Sequence, residues 1–207
     1  LEGLDLKNFE RAANYLGKIT RQMQEITMSV RMIPLEGLFN KSRRAVRDIS
    51  KRLEKNIEVV TEGQDTEMDR SVIEEISDPL VHILRNAVDH GIEPAGSRCE
   101  KGKPETGSIA LSARYEGNEI WISVRDDGAG LDRERILAKA REKGLFSGKP
   151  EDLHDNEVWQ FVLEPGFSTA QAVSEISGRG VGMDVVKTRI AQMNGSVEID
   201  SAKGKGS

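Results

Sequence analysis

The sequence predicts an α+β fold: a mixed, mainly antiparallel sheet with helices on one face, preceded by a long helix of heptad pattern. Three observations predict it. Two runs, SIALSAR and EIWISVR, alternate apolar with polar residues and are joined by a four-residue turn. The stretches flanking them carry apolar residues at helical spacing. The first 33 residues repeat apolar positions every seven.

Phe9, Leu16, Met23 and Val30 form one series of sevens, and Ala12, Ile19, Ile26 and Ile33 form another, offset by three. This is the seam of a helix that packs on another helix. It is too apolar to stand in water, and Pro34 turns the chain away from it. A bundle or coiled-coil arm is therefore expected over 1–33, rather than a helix lying on its own domain. A second helix is expected over 35–55, burying Leu38, Phe39, Val46, Ile49 and Leu53. Its other side carries Arg43, Arg44, Arg47, Lys51, Arg52 and Lys55, and reads as a solvated face. A docking surface for an acidic partner is the alternative.

Residues 57–61 (IEVVT) read as a strand and GQDTEMDR as a loop. A helix follows over 71–90, with Pro79 inside it, and then a polar loop to 107. In the two alternating strands, Ile109, Leu111 and Ala113 share a face with Ile120, Ile122 and Val124. Helices are expected over 132–143, stopping at Gly144, over 155–163, and over 181–193, closed by Gly195. SVEID (196–200) reads as a last strand.

The chain of 207 residues has a net charge of −5, which removes any global case for nucleic-acid binding. A lone cysteine, Cys99, cannot form a disulfide within the chain. No apolar run approaches the roughly 18 residues of a membrane span, and no signal peptide opens the chain. A cytoplasmic protein without membrane insertion is expected. The abrupt ends read as those of a piece of a longer one.

Four segments carry residues suited to chemistry. In HILRNAVDHG, the side chains of His82, Asn86, Asp89 and His90 fall on one helical face, apart from apolar Leu80, Ile83, Leu84, Ala87 and Val88. A plain solvated face is one reading of this set; since such faces favour Lys, Glu and Arg, a working stripe is the other. A zinc site there lacks further ligands at suitable spacing. At the end of EIWISVR stands Asp126-Asp127-Gly128-Ala129-Gly130. A carboxylate at a strand end can accept from an exocyclic amine, and the glycines admit a flat ligand close to backbone. Phe167, Ser168 and Thr169 occupy a loop that could act as a lid. Gly178, Gly180, Val181, Gly182 and Met183 lead into a helix, exposing N–H groups that suit phosphate. The pattern is neither the Walker loop nor the dinucleotide fingerprint.

Taken together, in this order, the segments resemble the GHKL superfamily of ATPases and kinases. His82-x-x-x-Asn86 is similar to its N box, Asp126-x-Gly128-x-Gly130 to its G1 box, the Phe167 loop to its F box, and Gly178-x-Gly180-x-Gly182 to its G2 box. LVHILRNAVDHGIEP, DDGAGLD, PGFSTA and SGRGVGMDVVK narrow the resemblance to the CheA family of chemotaxis histidine kinases. It implies a two-layer Bergerat-type sandwich over 34–207, ending before the family's last strand, and makes 1–33 half of a dimerisation hairpin. It further implies ATP and magnesium, with Asn86 as the metal ligand. Asp126 would accept from the adenine amino group, with Gly128 and Gly130 close to the base, and Asp89 and His90 would line the site. Arg135 and Lys139 would lie near the nucleotide. Phe167, Ser168 and Thr169 would belong to the lid, and the segment Gly178, Gly180, Val181, Gly182 and Met183 would meet the phosphates.

Many GHKL members carry Glu where His82 stands. The resemblance implies that His82 is the base, receiving a proton from a substrate histidine. His82 and His90 belong to the implied pocket and His154 to a polar loop, so the acceptor histidine is expected on a separate phosphotransfer domain. Chemoreceptors, a coupling protein and a response regulator are the other implied partners, with homodimerisation through a complete hairpin. A GHKL-type hydrolase and a nucleotide-binding scaffold are the alternatives.

Overall fold

The computed structural model describes residues 9, 11, 13–20, 23, 31–167 and 182–207. In the arm, residues 13–20 are helical, and the seam residues Phe9, Leu16 and Met23 are exposed. The seam does not reach Ile33. Met32–Pro34 is a strand, β1, paired antiparallel with Glu67–Asp69. The reason is local: a residue preceding proline is driven to extended backbone. The expected loop GQDTEMDR therefore contains a strand, and the Leu35 N–H closes the pairing onto the Thr66 carbonyl at 3.0 Å.

Helix α1, Glu36–Arg52, buries Leu38, Phe39, Val46 and Ile49 as its spacing predicts. Leu53 falls just past the last turn and is exposed instead. Strand β2, Ile57–Glu62, follows, then β3, Glu67–Asp69. Asp69 caps helix α2, Arg70–Asn86, by accepting the Ser71 N–H at 2.8 Å. The helix then widens into a π turn, Ala87–Gly91, in which the Ile92 N–H reaches back five residues to the Ala87 carbonyl at 2.8 Å. A short helix, α3, Ala95–Glu100, occupies the stretch expected to be loop.

Strands β4, Gly107–Glu116, and β5, Glu119–Asp126, pair antiparallel, while β2 pairs parallel with β4, giving the order β2-β4-β5. Leu111 stands opposite Val124 and Ala113 opposite Ile122. Their shared face packs on α1 and α2, where Phe39, Leu84, Val88, Ile109 and Leu111 are wholly buried.

A second core gathers Ile136, Leu137 and Ala140 of α4, Arg133–Glu142, with Val158 and Trp159 of α5, Asp155–Gln160. Phe167 completes it and Ile199 packs against it. SVEID keeps its alternation, with Val197 and Ile199 half-buried, but forms no strand. The packing of Ile199 holds it rather than a ladder. The last helix, α6, Met183–Gln192, packs on α2. No helix among the described residues is long and apolar enough to cross a membrane.

Candidate functional site

Helix α2 presents His82 and Asn86 one turn apart, both half-buried. Beyond Asn86 the π turn alters the winding, so Asp89 and His90 leave the simple helical stripe. Asp89 is half-buried and His90 exposed. Lys55 holds the turn. Its ammonium donates to the carbonyls of Val88 at 2.6 Å, Asp89 at 2.9 Å and Ile92 at 2.7 Å. It is no part of a solvated face, and its burial lowers its pKa.

The end of β5 lies against this turn. Asp126 is 7% exposed, and its Oδ1 accepts the Gly128 N–H at 2.9 Å. The Ala129 N–H donates to the Gly91 carbonyl at 2.8 Å. A Cβ on Gly128 would overlap that carbonyl. Gly130 has φ +69° and sits against the Ala202 carbonyl, so both positions require glycine. Burial pushes the Asp126 carboxyl pKa up. The Gly128 N–H opposes this, and the neighbouring Asp127 charge adds to it.

The end of the chain folds over the same loop. The Gly204 N–H donates to the Ala129 carbonyl at 2.7 Å, the Asp126 N–H to the Ser207 carbonyl at 2.9 Å, and the Leu131 N–H to Ser201 Oγ at 2.8 Å. Sequence reasoning placed no functional residue here. The glycines of AKGKGS were the available signal.

Helix α6 approaches from the other side. Asn86 Nδ2 donates to the Met183 sulfur at 3.2 Å, which leaves the amide oxygen for another partner. Burial lowers the His82 pKa and Arg85 lowers it further, while Asp184 of α6 raises it. Gly182 is the N-cap of α6. Phe167 is buried with the Lys139 ammonium 5.0 Å from its ring centroid. Burial, together with Lys143 and Arg135, lowers the Lys139 pKa. Arg135, one turn earlier, is exposed. Two ties fix the Phe167 segment: Lys143 Nζ to the Gly166 carbonyl at 2.7 Å, and Lys187 to Glu164 at 3.0 Å. Ser168, Thr169, Gly178, Gly180 and Val181 lie outside the described residues. A groove of about 580 Å³ beside α6 is lined by Leu163, Glu164, Asp184 and Lys187 and does not include Asn86 or Asp126. The hydrogen bonds, rather than this groove, define where the boxes meet.

Residues 75–207 match the family described as histidine kinase-, DNA gyrase B-, and HSP90-like ATPase. The chain belongs to this ATPase family. Within it, the chain is similar to the chemotaxis protein CheA of Bacillus subtilis, at 49% identity over 191 residues. That alignment covers 92% of this chain and 28% of the relative. The sensor histidine kinase CheAY of Helicobacter pylori is 49% identical over 202 residues, covering 97% and 25%. The chain thus spans less than a third of the length of these relatives and corresponds to a CheA-type catalytic domain. The histidine kinase domain of a blue-light activated kinase from Erythrobacter litoralis aligns at 14% identity and a TM-score of 0.47, covering 84% of this chain and 61% of that one. That superposition is too slight to bear on the site.

For a CheA-type ATPase domain the nucleotide is ATP. The arrangement holds a buried carboxylate beside glycine backbone at one end, and an amide oxygen with a helix N-terminus at the other. The sequence missed Lys55 and also Arg98 and Lys103, which bond Asp127 beside Asp126, because charged side chains in polar stretches read as surface.

Proposed function

We propose that residues 34–207 are the catalytic domain of a CheA-type histidine kinase, and that 1–33 are part of its dimerisation hairpin. The domain transfers the γ-phosphoryl group of magnesium-bound ATP to a histidine on a separate phosphotransfer domain, in chemotaxis-type two-component signalling. In the longer protein, chemoreceptors, a coupling protein and a response regulator would be its other partners. The observation that carries this reading is convergence. Asn86 touches Met183 at 3.2 Å, and the Gly91 carbonyl receives the Ala129 N–H at 2.8 Å, so three sequence-distant segments enclose one place.

Asp126 accepts from the adenine amino group, while Gly128 and Gly130 let the base lie against backbone. Asp89 and His90 border the same end. Asn86 fits a magnesium ligand, since its nitrogen donates to Met183 and its oxygen meets no hydrogen-bond partner among the described residues; such an ion needs few protein ligands when phosphates and waters supply the rest. When bound, it would offset the charge of the phosphates. Backbone N–H groups of Gly178, Gly180, Val181, Gly182 and Met183 donate to phosphate oxygens. Lys139 and Arg135 add positive charge, and Phe167 anchors the lid carrying Ser168 and Thr169. His82, kept neutral by burial, takes the proton released when the substrate imidazole nitrogen bonds phosphorus and ADP departs.

The test is incubation with γ-labelled ATP and a supplied phosphotransfer domain. Label should reach that domain while this chain stays unlabelled, and His82→Ala should cut transfer roughly a hundred-fold or more with nucleotide affinity little changed. ATP consumption without labelled acceptor would favour a hydrolase, and stable labelling of this chain would refute a separate acceptor.

A further inference from the structure

Arg98 is wholly buried, yet it belongs to a six-residue helix in a polar stretch. A guanidinium taken out of water is costly unless its donors are used and its charge is met. Here every nitrogen is used. Nε donates to the Pro104 carbonyl at 2.8 Å. Nη2 reaches Asp127 Oδ2 at 2.8 Å and the Thr106 carbonyl at 3.3 Å. Nη1 reaches Asp127 Oδ1 at 3.1 Å and Glu93 Oε2 at 3.4 Å. The pairing with Asp127 is two-pronged, which fixes direction as well as distance. Lys103 works alongside. Its ammonium donates to the carbonyls of Asp127 at 2.8 Å and Gly128 at 2.6 Å, and meets Glu93 at 3.3 Å. The Ser108 N–H gives Asp127 Oδ1 a further bond at 2.9 Å.

These contacts pin the peptide units immediately following Asp126. Burial alone would raise the Asp127 pKa, but Arg98, the Ser108 N–H and Lys103 together carry it below the usual carboxylate range. Asp127 is therefore a charged anchor held by Arg98 and the Ser108 N–H.

We infer that Arg98, Lys103 and Asp127 are positioning residues that hold the Asp126 carboxylate for the adenine edge and thereby set the preference for adenine over guanine. The inference rests on the proposed nucleotide site. Its chemistry is simple. A fixed carboxylate accepts from the amino group of adenine. Guanine presents a carbonyl oxygen at the corresponding ring position, so two acceptors would face each other. Discrimination of this kind depends on placement, and misplacement by about an ångström forfeits much of it. A clamp serving only the fold would treat every nucleotide alike.

The experiment uses the whole chain with Asp127→Asn and, separately, Lys103→Met. Asp127→Asn keeps shape and an acceptor for Ser108; Lys103→Met keeps the stem without the donors. Competition binding measures magnesium-ATP and magnesium-GTP, and a thermal melt confirms folding. ATP affinity should fall roughly ten-fold in each variant, the order of one bond to a charged group, while GTP affinity changes little and the ratio narrows. Should Asp127→Asn fail to fold, Lys103→Met decides. Parallel weakening of both nucleotides, an unchanged ratio, or an unaltered chain that binds the two alike would overturn the inference. An unaltered chain that binds no ATP would remove the proposed nucleotide site itself.

Discussion

His82 sits half-buried on α2 with Arg85 on its own helix and Asp184 on α6. Burial is the larger effect, so its imidazole titrates below the ordinary value of 6.5. At pH 7 it is therefore neutral and able to accept a proton. The sign follows for stability. The unfolded chain binds a proton at this site near pH 6.5, whereas the folded chain resists until lower pH. The contribution of His82 to stability is full above about 6.5 and is lost as pH falls through the folded value. Transfer should thus persist at pH 6.5 and decline only on further acidification. A pH profile of single-turnover transfer with intact nucleotide saturation checks this, and a midpoint above 6.5 would contradict it. His82, Asn86 and Asp126 stand out in the sequence because each is an unusual choice for its local setting, and the structure buries them partly or wholly. Arg98 and Lys55 do not stand out. Their roles depend on partners such as Asp127 and Val88, about 30 residues away, and nothing in a polar stretch reports such a partner.

The elements were legible where periodicity runs long. Helix α1 buries all the residues its pattern assigns except Leu53, and the β4–β5 pair turns its assigned residues to the core, because one face of each must meet it. Short or irregular pieces were hidden. Strand β1 holds only Met32–Pro34, α3 only six residues, and SVEID alternates without a hydrogen-bonded neighbour among the described residues. The π turn is the most consequential of these. A spacing of 3.6 cannot reveal it, yet it brings the Gly91 carbonyl to the Ala129 N–H. Lys55 supplies three donors to the carbonyls around that turn. Lys55→Met should leave them short of partners and cost roughly 1–3 kcal/mol of stability. Hydrogen exchange should show the loss concentrated in residues 87–92, with the β4–β5 ladder protected as before. Uniform loss across the sheet would mean that Lys55 braces the whole core instead.

At the scale of the molecule, both cores are built from residues beyond Pro34. The first begins at Leu35, the second joins α4, α5 and Phe167, and no described residue of the arm belongs to either. Phe9, Leu16 and Met23 are 72%, 64% and 64% exposed, so these seam positions stand largely open to solvent. Arg31, by contrast, is tied to Asp69 at 3.1 Å and belongs with the body. On the proposed reading, the heptad pattern serves association with another helix and nucleotide chemistry belongs to the body beyond Pro34. Removing residues 1–30 should shift the thermal midpoint by no more than about 2 °C, as expected when the body beyond Pro34 folds without the arm. ATP affinity should stay within about two-fold, well under the ten-fold that 1.4 kcal/mol would produce. Calorimetry and equilibrium binding on the shortened chain read both quantities. A large drop in midpoint would mean that the arm lies on the body and shields it, and the seam would then belong to the fold of this chain rather than to a partner.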